Sequence, residues 1–472
     1  MKVIKNYLYN VGYQVFLLFV PLITVPYTSR VLGSEGIGIH AFTNSIIQYF
    51  ILFGSIGINL YGNRTIAYNR SNPKKLKVTF WEISIVRMIF ISISYLFFLL
   101  FVILVGEYQE FYMYQSLLII AAGFDISWFF MGMEDFKKTV TRNILVKLIS
   151  VLLIFLLVKT PEDLDVYILI LSGSVLLGNL LLWSYIKPLF GKVKLRTLDL
   201  KQHIRPSVSL FIPQIATQVY LILNKTMLGV LTDVDNVAFY EQSDKIVKII
   251  LAVVTATGTV MLPRVASVFS KGDNEKVKYY LATSFEFVSF ICFPLALGIA
   301  SISEKFSVWF LGESFRATGP LIAILSVVII VIGWSNVLGT QYLLPTNQTK
   351  HYTESVLAGA ISNIFLNIIL IKEFGVIGAV VATVISESIV TLVQIYFTKK
   401  TIQLSILFGE TWKYLLSSII MFLVVKRLHI AMDGNFMNFI IQIMIGAVIY
   451  LLAIWGLKAR IIGIFKTFLL KK

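Results

Sequence analysis

Within the segment FYEQSDKIVKII, Phe239 to Ile250, four charged side chains fall in eight residues: Glu241, Asp244, Lys245 and Lys248. Their i, i+3, i+4, i+7 spacing places all four on one face of a helix. Glu241 precedes Lys245 by four residues and Asp244 precedes Lys248 by four, the favourable acid-first order for paired charges. Such a stripe has two readings. It neutralises itself along one helix, or it lines a wet cavity in which the lysines can meet an anion such as a phosphate. The elements around it decide what chemistry is open to it.

Those surroundings are overwhelmingly apolar. Hydrophobic residues make up 57% of the 472 and charged residues 14%, where a soluble domain carries about 25%. Mean hydropathy is +0.83. Uniformly apolar runs recur from one end to the other, so the chain reads as an all-α polytopic membrane protein. A β-barrel is excluded, because its strands alternate polar and apolar residues. Cys292 is the single cysteine, which excludes a disulfide framework, a thiolate metal cluster and a CxxC redox pair. Four unclustered histidines offer no metal site. Walker A, HExxH and GxSxG motifs are absent, as is a GxGxxG between strand and helix. The reading is a non-enzyme without a metal or organic cofactor.

Spans are expected at roughly 7–29, 37–62, 79–105, 112–132, 140–158, 164–186, 206–231, 237–262, 279–300, 318–343, 352–371, 376–398, 408–425 and 437–457, fourteen in all. The basic start and long apolar run of the first, with no small-x-small cleavage site, read as a retained span. One alternating set of connections holds 29 of the 41 lysines and arginines and the other set 7. That bias places both termini in the cytoplasm and assigns the +16 net charge to topology, not to nucleic acid. A weak repeat relates SRVLGSEGIGIHAF (Ser29–Phe42) to KTMLGVLTDVDNVAFY (Lys225–Tyr240), with Gly33 answering Gly229, and WSYIK (Trp183–Lys187) to QIYFTKK (Gln394–Lys400). A six-span period predicts two parallel lobes, 1–200 and 201–402, around a central cavity, followed by two extra helices and a basic tail in 403–472. Pro21 and Pro26 in span 1 and Pro206 and Pro213 in span 7 allow bends in both first helices, as rocking lobes or as static kinks.

A charge at mid-membrane costs roughly 2.5–3.5 kcal/mol on insertion scales, so each needs a partner or water. The candidates are Arg87, Asp125, Lys147, Lys225, the stripe, Glu286 and Glu387, with Arg30, His40 and Arg64 nearer span ends. Lys248 lies about 18 Å into its helix and Arg87 about 13 Å into span 3. Arg87 has no opposite charge four residues away, so its partner comes from another helix or from a substrate. Arg30 and Arg64 can snorkel to headgroups or meet substrate, and Lys147 has the reach to snorkel. Glu286 is expected to pair structurally and His40 to pack between helices. Asp125 opens DISWFFMGMEDF, whose Trp128, Phe129 and Phe130 are read as an interfacial belt, with a sugar-cavity wall as the alternative.

The opening NYLYNVGYQVFLLFVPLITVPYTSRVLGSEGIG resembles the start of the bacterial Wzx-like polysaccharide flippases. FGSIGINLYGNRTIA, DISWFFMGMEDF, LNKTMLG, FYEQSDKI, VMLPRVAS and ISNIFLNIIL are similar to motifs of that family, in the same order over essentially the whole chain. The resemblance implies the two-lobed fold of the multidrug, oligosaccharidyl-lipid and polysaccharide exporters. It also implies a substrate: undecaprenyl-pyrophosphate-linked sugar repeat units, moved from the inner to the outer leaflet for capsule or another surface polymer. It points to Arg30, Arg64, Asp125, Glu134, Glu241, Lys245 and Arg264. At the MLG step this chain carries Asn224-Lys225 where relatives often place an acidic residue, so a cation-coupling role is not implied there.

The expected substrate-cavity residues are therefore Arg30, Arg64, Arg87, Asp125, Lys225, Glu241, Asp244, Lys245, Lys248, Arg264 and Glu387. Lysines and arginines suit a pyrophosphate while the lipid tail stays in the bilayer. Expected partners are the lipid-linked oligosaccharide, the bilayer, and the polymerase and assembly proteins of the polymer, with H+ or Na+ coupling as the energy source. Two rivals stand: a cation-coupled small-molecule exporter of the same superfamily, and a non-transporting scaffold, which short connections fit poorly.

Overall fold

The computed structural model describes residues 2–186 and 198–463. Outside that description lie Lys187, Lys192, Lys194, Arg196, Lys466, Lys471, Lys472 and the side chains of Lys2, Lys5 and Pro213. Among the described residues there is no strand, and eleven helices are long and apolar enough to cross a membrane. The protein is a multi-pass, all-α membrane protein. Its chain divides into two compact units, Met1–Thr226 and Met227–Lys472.

The first unit begins with α1 (Lys2–Ser55), which would run about 80 Å if straight, against a hydrocarbon core of about 30 Å. Gly33 breaks it, with φ 67° and ψ −175°, a conformation only glycine adopts without strain. There follow α2 (Ile58–Asn69), α3 (Pro73–Leu104), α4 (Gln109–Gln115), α5 (Leu117–Phe124), α6 (Ser127–Gly132), α7 (Phe136–Leu157), α8 (Leu164–Ser184) and α9 (Lys201–Leu231), which runs on into the second unit. Local chemistry sets the starts: Asn72 caps α3 by accepting the Lys75 N–H at 3.1 Å, with Pro73 in the first turn where no amide donor is needed. Helix α3 turns Phe80, Ile83, Val86, Ile91 and Phe98 inward and leaves Ile93, Leu96, Phe97, Leu100 and Ile103 exposed, an apolar outer face suited to lipid.

The expected single span over 112–132 is broken twice, at Ser116 and at Asp125–Ile126. The Asp125 carboxylate closes the second break by accepting the Ser127 N–H at 2.9 Å, and its carbonyl accepts the Trp128 indole N–H at 3.1 Å. The aromatic run beyond it is not an interfacial belt. Trp128, Phe129 and Phe130 are each 1% exposed. Phe80 stacks on Trp128 at 5.7 Å and meets Phe129 edge-on at 5.1 Å, so ring packing wins over the headgroup region.

The second unit continues with α10 (Val234–Phe269), α11 (Asn274–Leu311), α12 (Thr318–Leu325), α13 (Val327–Ser335), a π-helical turn over Asn336–Leu343, α14 (Thr349–Thr398), α15 (Leu404–Phe408), α16 (Thr411–Ala431) and α17 (Phe436–Gly456). Gly375 (φ 55°) breaks α14 as Gly33 breaks α1. A sequence echo follows these breaks: QSLLIIAAGFD (Gln115–Asp125) and LSVVIIVIGWS (Leu325–Ser335) each step from one short helix to the next at a serine, Ser116 and Ser326. The Gly33–Gly229 correspondence, in contrast, is not a shared conformation: α9 passes through Gly229 unbroken and ends at Leu231.

Candidate functional site

Helix α10 starts where the Asp233 side chain accepts the Asn236 N–H at 2.8 Å. Its inward face then carries Gln242, Ser243, Ile246, Val247 and Leu251, all buried. The charged stripe occupies the opposite face, so the packing follows the 3.6-residue period that the sequence announces. Lys245 Nζ lies 3.0 Å from Glu241 Oε1, and Lys248 Nζ lies 2.7 Å from Asp244 Oδ2. Both expected i→i+4 pairs form. They are not symmetrical: the Glu241 and Asp244 side chains are 13% and 20% exposed, those of Lys245 and Lys248 38% and 52%. The acids root the pairs against the helix while the ammonium groups stand outward, with Lys248 about 21 Å along α10. A half-exposed ammonium at that depth needs water or an anion, because lipid cannot solvate it.

In the first unit Arg87 takes its partners from other helices. It is 2% exposed and donates to Asn59 Oδ1 (2.6 Å), Asp125 Oδ2 (3.5 Å) and the Ala122 carbonyl. The guanidinium thereby joins α2, α3 and the Asp125 break, and its donors are directed at the protein's own atoms. Arg30 and Arg64 are exposed, Arg30 just before the Gly33 break, where it reaches the Pro26 carbonyl at 3.4 Å, and Arg64 in the middle of α2. Lys225 is half-buried beside Tyr49, and the adjoining Thr226 hydroxyl donates to Ser45 at 2.9 Å. Glu134 pairs with Arg70 at 2.6 Å, joining the MEDF turn to the end of α2. His40 packs edge-on to Tyr167 at 5.2 Å. In the second unit Arg264 lies over the Tyr280 ring, 4.9 Å from its centroid, and donates to that hydroxyl at 3.2 Å. Glu387 is half-buried near Tyr352. Glu286 accepts from the Tyr414 hydroxyl at 3.1 Å and lies 3.6 Å from Arg460 Nε, the structural pairing expected of it. The structure thus joins the stripe residues in two pairs and Arg87 to Asp125; Arg30, Arg64, Lys225, Arg264 and Glu387 stand in separate surroundings.

Residues 3–269 match the family described as "Polysaccharide biosynthesis protein", more than half of the chain. The chain belongs to that family. Its curated relatives include the putative O-antigen transporter of Escherichia coli (strain K12), 25% identical over 404 residues that cover 84% of this chain and 96% of the relative. The fold is shared with the solved lipid II flippase MurJ in an inward closed conformation, at a TM-score of 0.72 and 16% identity, covering 95% of this chain and 98% of that one. A multidrug resistance MATE family transporter of the MOP superfamily, inward-facing, aligns at a TM-score of 0.60 and 14% identity over 81% of this chain and 94% of its own.

This member of the family also holds a buried polar cluster that the span-by-span reading passed over. Glu82 Oε2 lies 2.9 Å from His203 Nε2, and His203 Nδ1 lies 2.7 Å from the Tyr61 hydroxyl. Glu82 Oε1 accepts the Asp199 N–H at 2.8 Å, so the start of α9 is tied to α2 and α3. All three side chains are nearly inaccessible. The signal was present: Glu82 lies three residues inside the expected third span, where any carboxylate needs a partner. Its partner, His203, was hidden because it stands more than a hundred residues away in sequence.

Proposed function

We propose that the protein is a flippase for lipid-linked oligosaccharides, carrying undecaprenyl-pyrophosphate-linked repeat units from the inner to the outer leaflet of the bacterial cytoplasmic membrane for capsule or another surface polysaccharide. The observation that carries this reading is the α10 stripe, whose lysine heads stand exposed at mid-helix depth while their carboxylates lie closer to the helix. A pyrophosphate is the ligand such ammonium groups suit, by charge-assisted hydrogen bonds. Family membership, the O-antigen transporter relative and the MurJ-like fold support the same substrate class. Transport is by alternating access of two lobes and is not an enzymatic reaction. Both termini are cytoplasmic on the basic-residue bias, and the crossings number fourteen: the eleven long apolar helices, with two more because Gly12–Asn69 and Thr349–Thr398 are each broken at a glycine, and α9. The sequence offers no nucleotide-binding loop, so a proton or sodium gradient supplies the energy. Polymerase and assembly proteins of the polymer are the partners.

The test is complementation of a strain lacking its own flippase. Lys248→Ala should cut surface polymer roughly ten- to a hundredfold at native expression, the loss of one charge-assisted contact. The swap Asp244→Lys with Lys248→Asp keeps the pair neutral but moves the ammonium, and should fail likewise. Normal polymer from the swap would mean that the stripe only neutralises itself.

A further inference from the structure

The first unit contains a polar chamber that the stripe does not involve. A cavity of about 260 Å3 opens between α1, the α4–α5 segment, α7 and α8, lined by Tyr13, His40, Gln115, Arg142, Asn143 and Lys147 among others. Its α7 wall carries two basic side chains, Arg142 and Lys147, and no carboxylate lines it among the described residues. Lys147, which has the reach to snorkel, borders this chamber.

Two of its polar atoms are orphaned. The Arg142 Nε is buried and has no hydrogen-bond partner among the described residues, and neither has the Gln115 Oε1. The rest of Gln115 is fixed: its amide donates to the Thr43 hydroxyl at 2.6 Å and the His40 carbonyl at 3.2 Å, which leaves its oxygen free to accept. Asn143 stands beside Tyr13 in the chamber lining. Asp125, the carboxylate whose field reaches Arg142, is itself paired with Arg87. A buried N–H without an acceptor is costly, as is a buried carbonyl oxygen without a donor. A group that meets both atoms offers an acceptor oxygen, best a negative one, to the Arg142 N–H and at least one O–H to Gln115. At about 30 Å3 per water, the chamber has the volume of about nine waters, enough for a hydrated small anion or one sugar unit.

We propose that this chamber is a binding site for a small hydroxylated oxyanion, either hydrogen phosphate or a sugar acid. Its negative oxygens face the Arg142 guanidinium and the Lys147 ammonium, and its hydroxyl donates to Gln115 Oε1. The site lies within the first unit and stands whatever cargo the second unit's stripe serves.

The test is isothermal titration of the purified full-length protein in detergent at constant ionic strength, with phosphate, glucuronate, glucose and chloride as probes. Saturable binding of phosphate or glucuronate, with no binding of glucose, is the expected result. A preference for phosphate identifies a free inorganic anion, and one for glucuronate a glycan-borne carboxylate. Arg142→Gln should weaken the dissociation constant at least about tenfold, the loss of one charge-assisted contact. Asn143→Asp tethers a carboxylate beside the guanidinium; it should abolish anion binding while raising the thermal midpoint without anion, so it decides the matter if Arg142→Gln does not fold. Wild-type affinity in the variants, or no saturable binding to the wild type, would overturn the proposal. Chloride binding as tightly as phosphate would overturn the role given to Gln115.

Discussion

At the scale of single residues, the two charged clusters differ in what their exposure allows. Arg87 is sealed among Asn59, Ala122 and Asp125, so its removal strands a part-buried carboxylate. Arg87→Ala should lower stability by about 3–5 kcal/mol, read as thermal unfolding in detergent, and Arg87→Ala with Asp125→Asn, which removes the stranded charge but keeps an acceptor for the Ser127 N–H, should recover at least half of it. Equal losses in the single and double variants would remove the pairing argument. Lys248 is the reverse case, since its half-exposed head contributes little to stability and should matter for transport alone. The acid–base pairs of α10 could be read from sequence because i→i+4 spacing is local. The partners of Arg87 and Glu82 could not, since Asp125 and His203 reach them only through tertiary packing. The same holds for Arg142: it stands at the start of the expected fifth span, and only the surrounding chamber reveals an unmet donor.

At the scale of elements, the helices were legible and their breaks were not. Apolar length announces a span, but the break at Asp125 depends on one carboxylate accepting the Ser127 N–H two residues on. The turn between α1 and α2 is set in the same way by one glycine. Gly57 has φ 72°, and a Cβ there would lie 2.8 Å from the Ser207 carbonyl and 3.0 Å from the Phe211 nitrogen. The turn is also where the Ser207 hydroxyl donates to the Ile56 carbonyl at 2.6 Å, so α9 is docked against it. Gly57→Ala should cost roughly 1–2 kcal/mol from the left-handed backbone alone, with the clash adding to it, and should lower the thermal midpoint more than Ser207→Ala. At the start of α9, Glu82→Ala leaves the Asp199 N–H and the His203 ring without their acceptor and should cost about 1–3 kcal/mol. Proteolysis at the 187–200 connection should quicken in that variant; an unchanged rate and midpoint would contradict the tie.

At the scale of the whole molecule, composition and the alternation of basic connections were enough to give a polytopic helical protein, and the ordered motifs led to its family. Orientation can be read directly because the native Cys292 is inaccessible and contributes no background. Lys271→Cys and Lys350→Cys should label only after the membrane is opened, whereas Glu313→Cys and Asp433→Cys should label in intact cells. The reverse pattern would invert the orientation and with it the direction of transport. The central claim concerns what crosses. Its most direct measurement is leaflet-to-leaflet transfer of a defined undecaprenyl-pyrophosphate-linked oligosaccharide in proteoliposomes holding the purified full-length protein. The wild type should transfer the lipid-linked glycan, and Lys245→Ala with Lys248→Ala should transfer it at least about tenfold more slowly while remaining folded. No transfer by the wild type, or equal transfer by the double variant, would contradict the account.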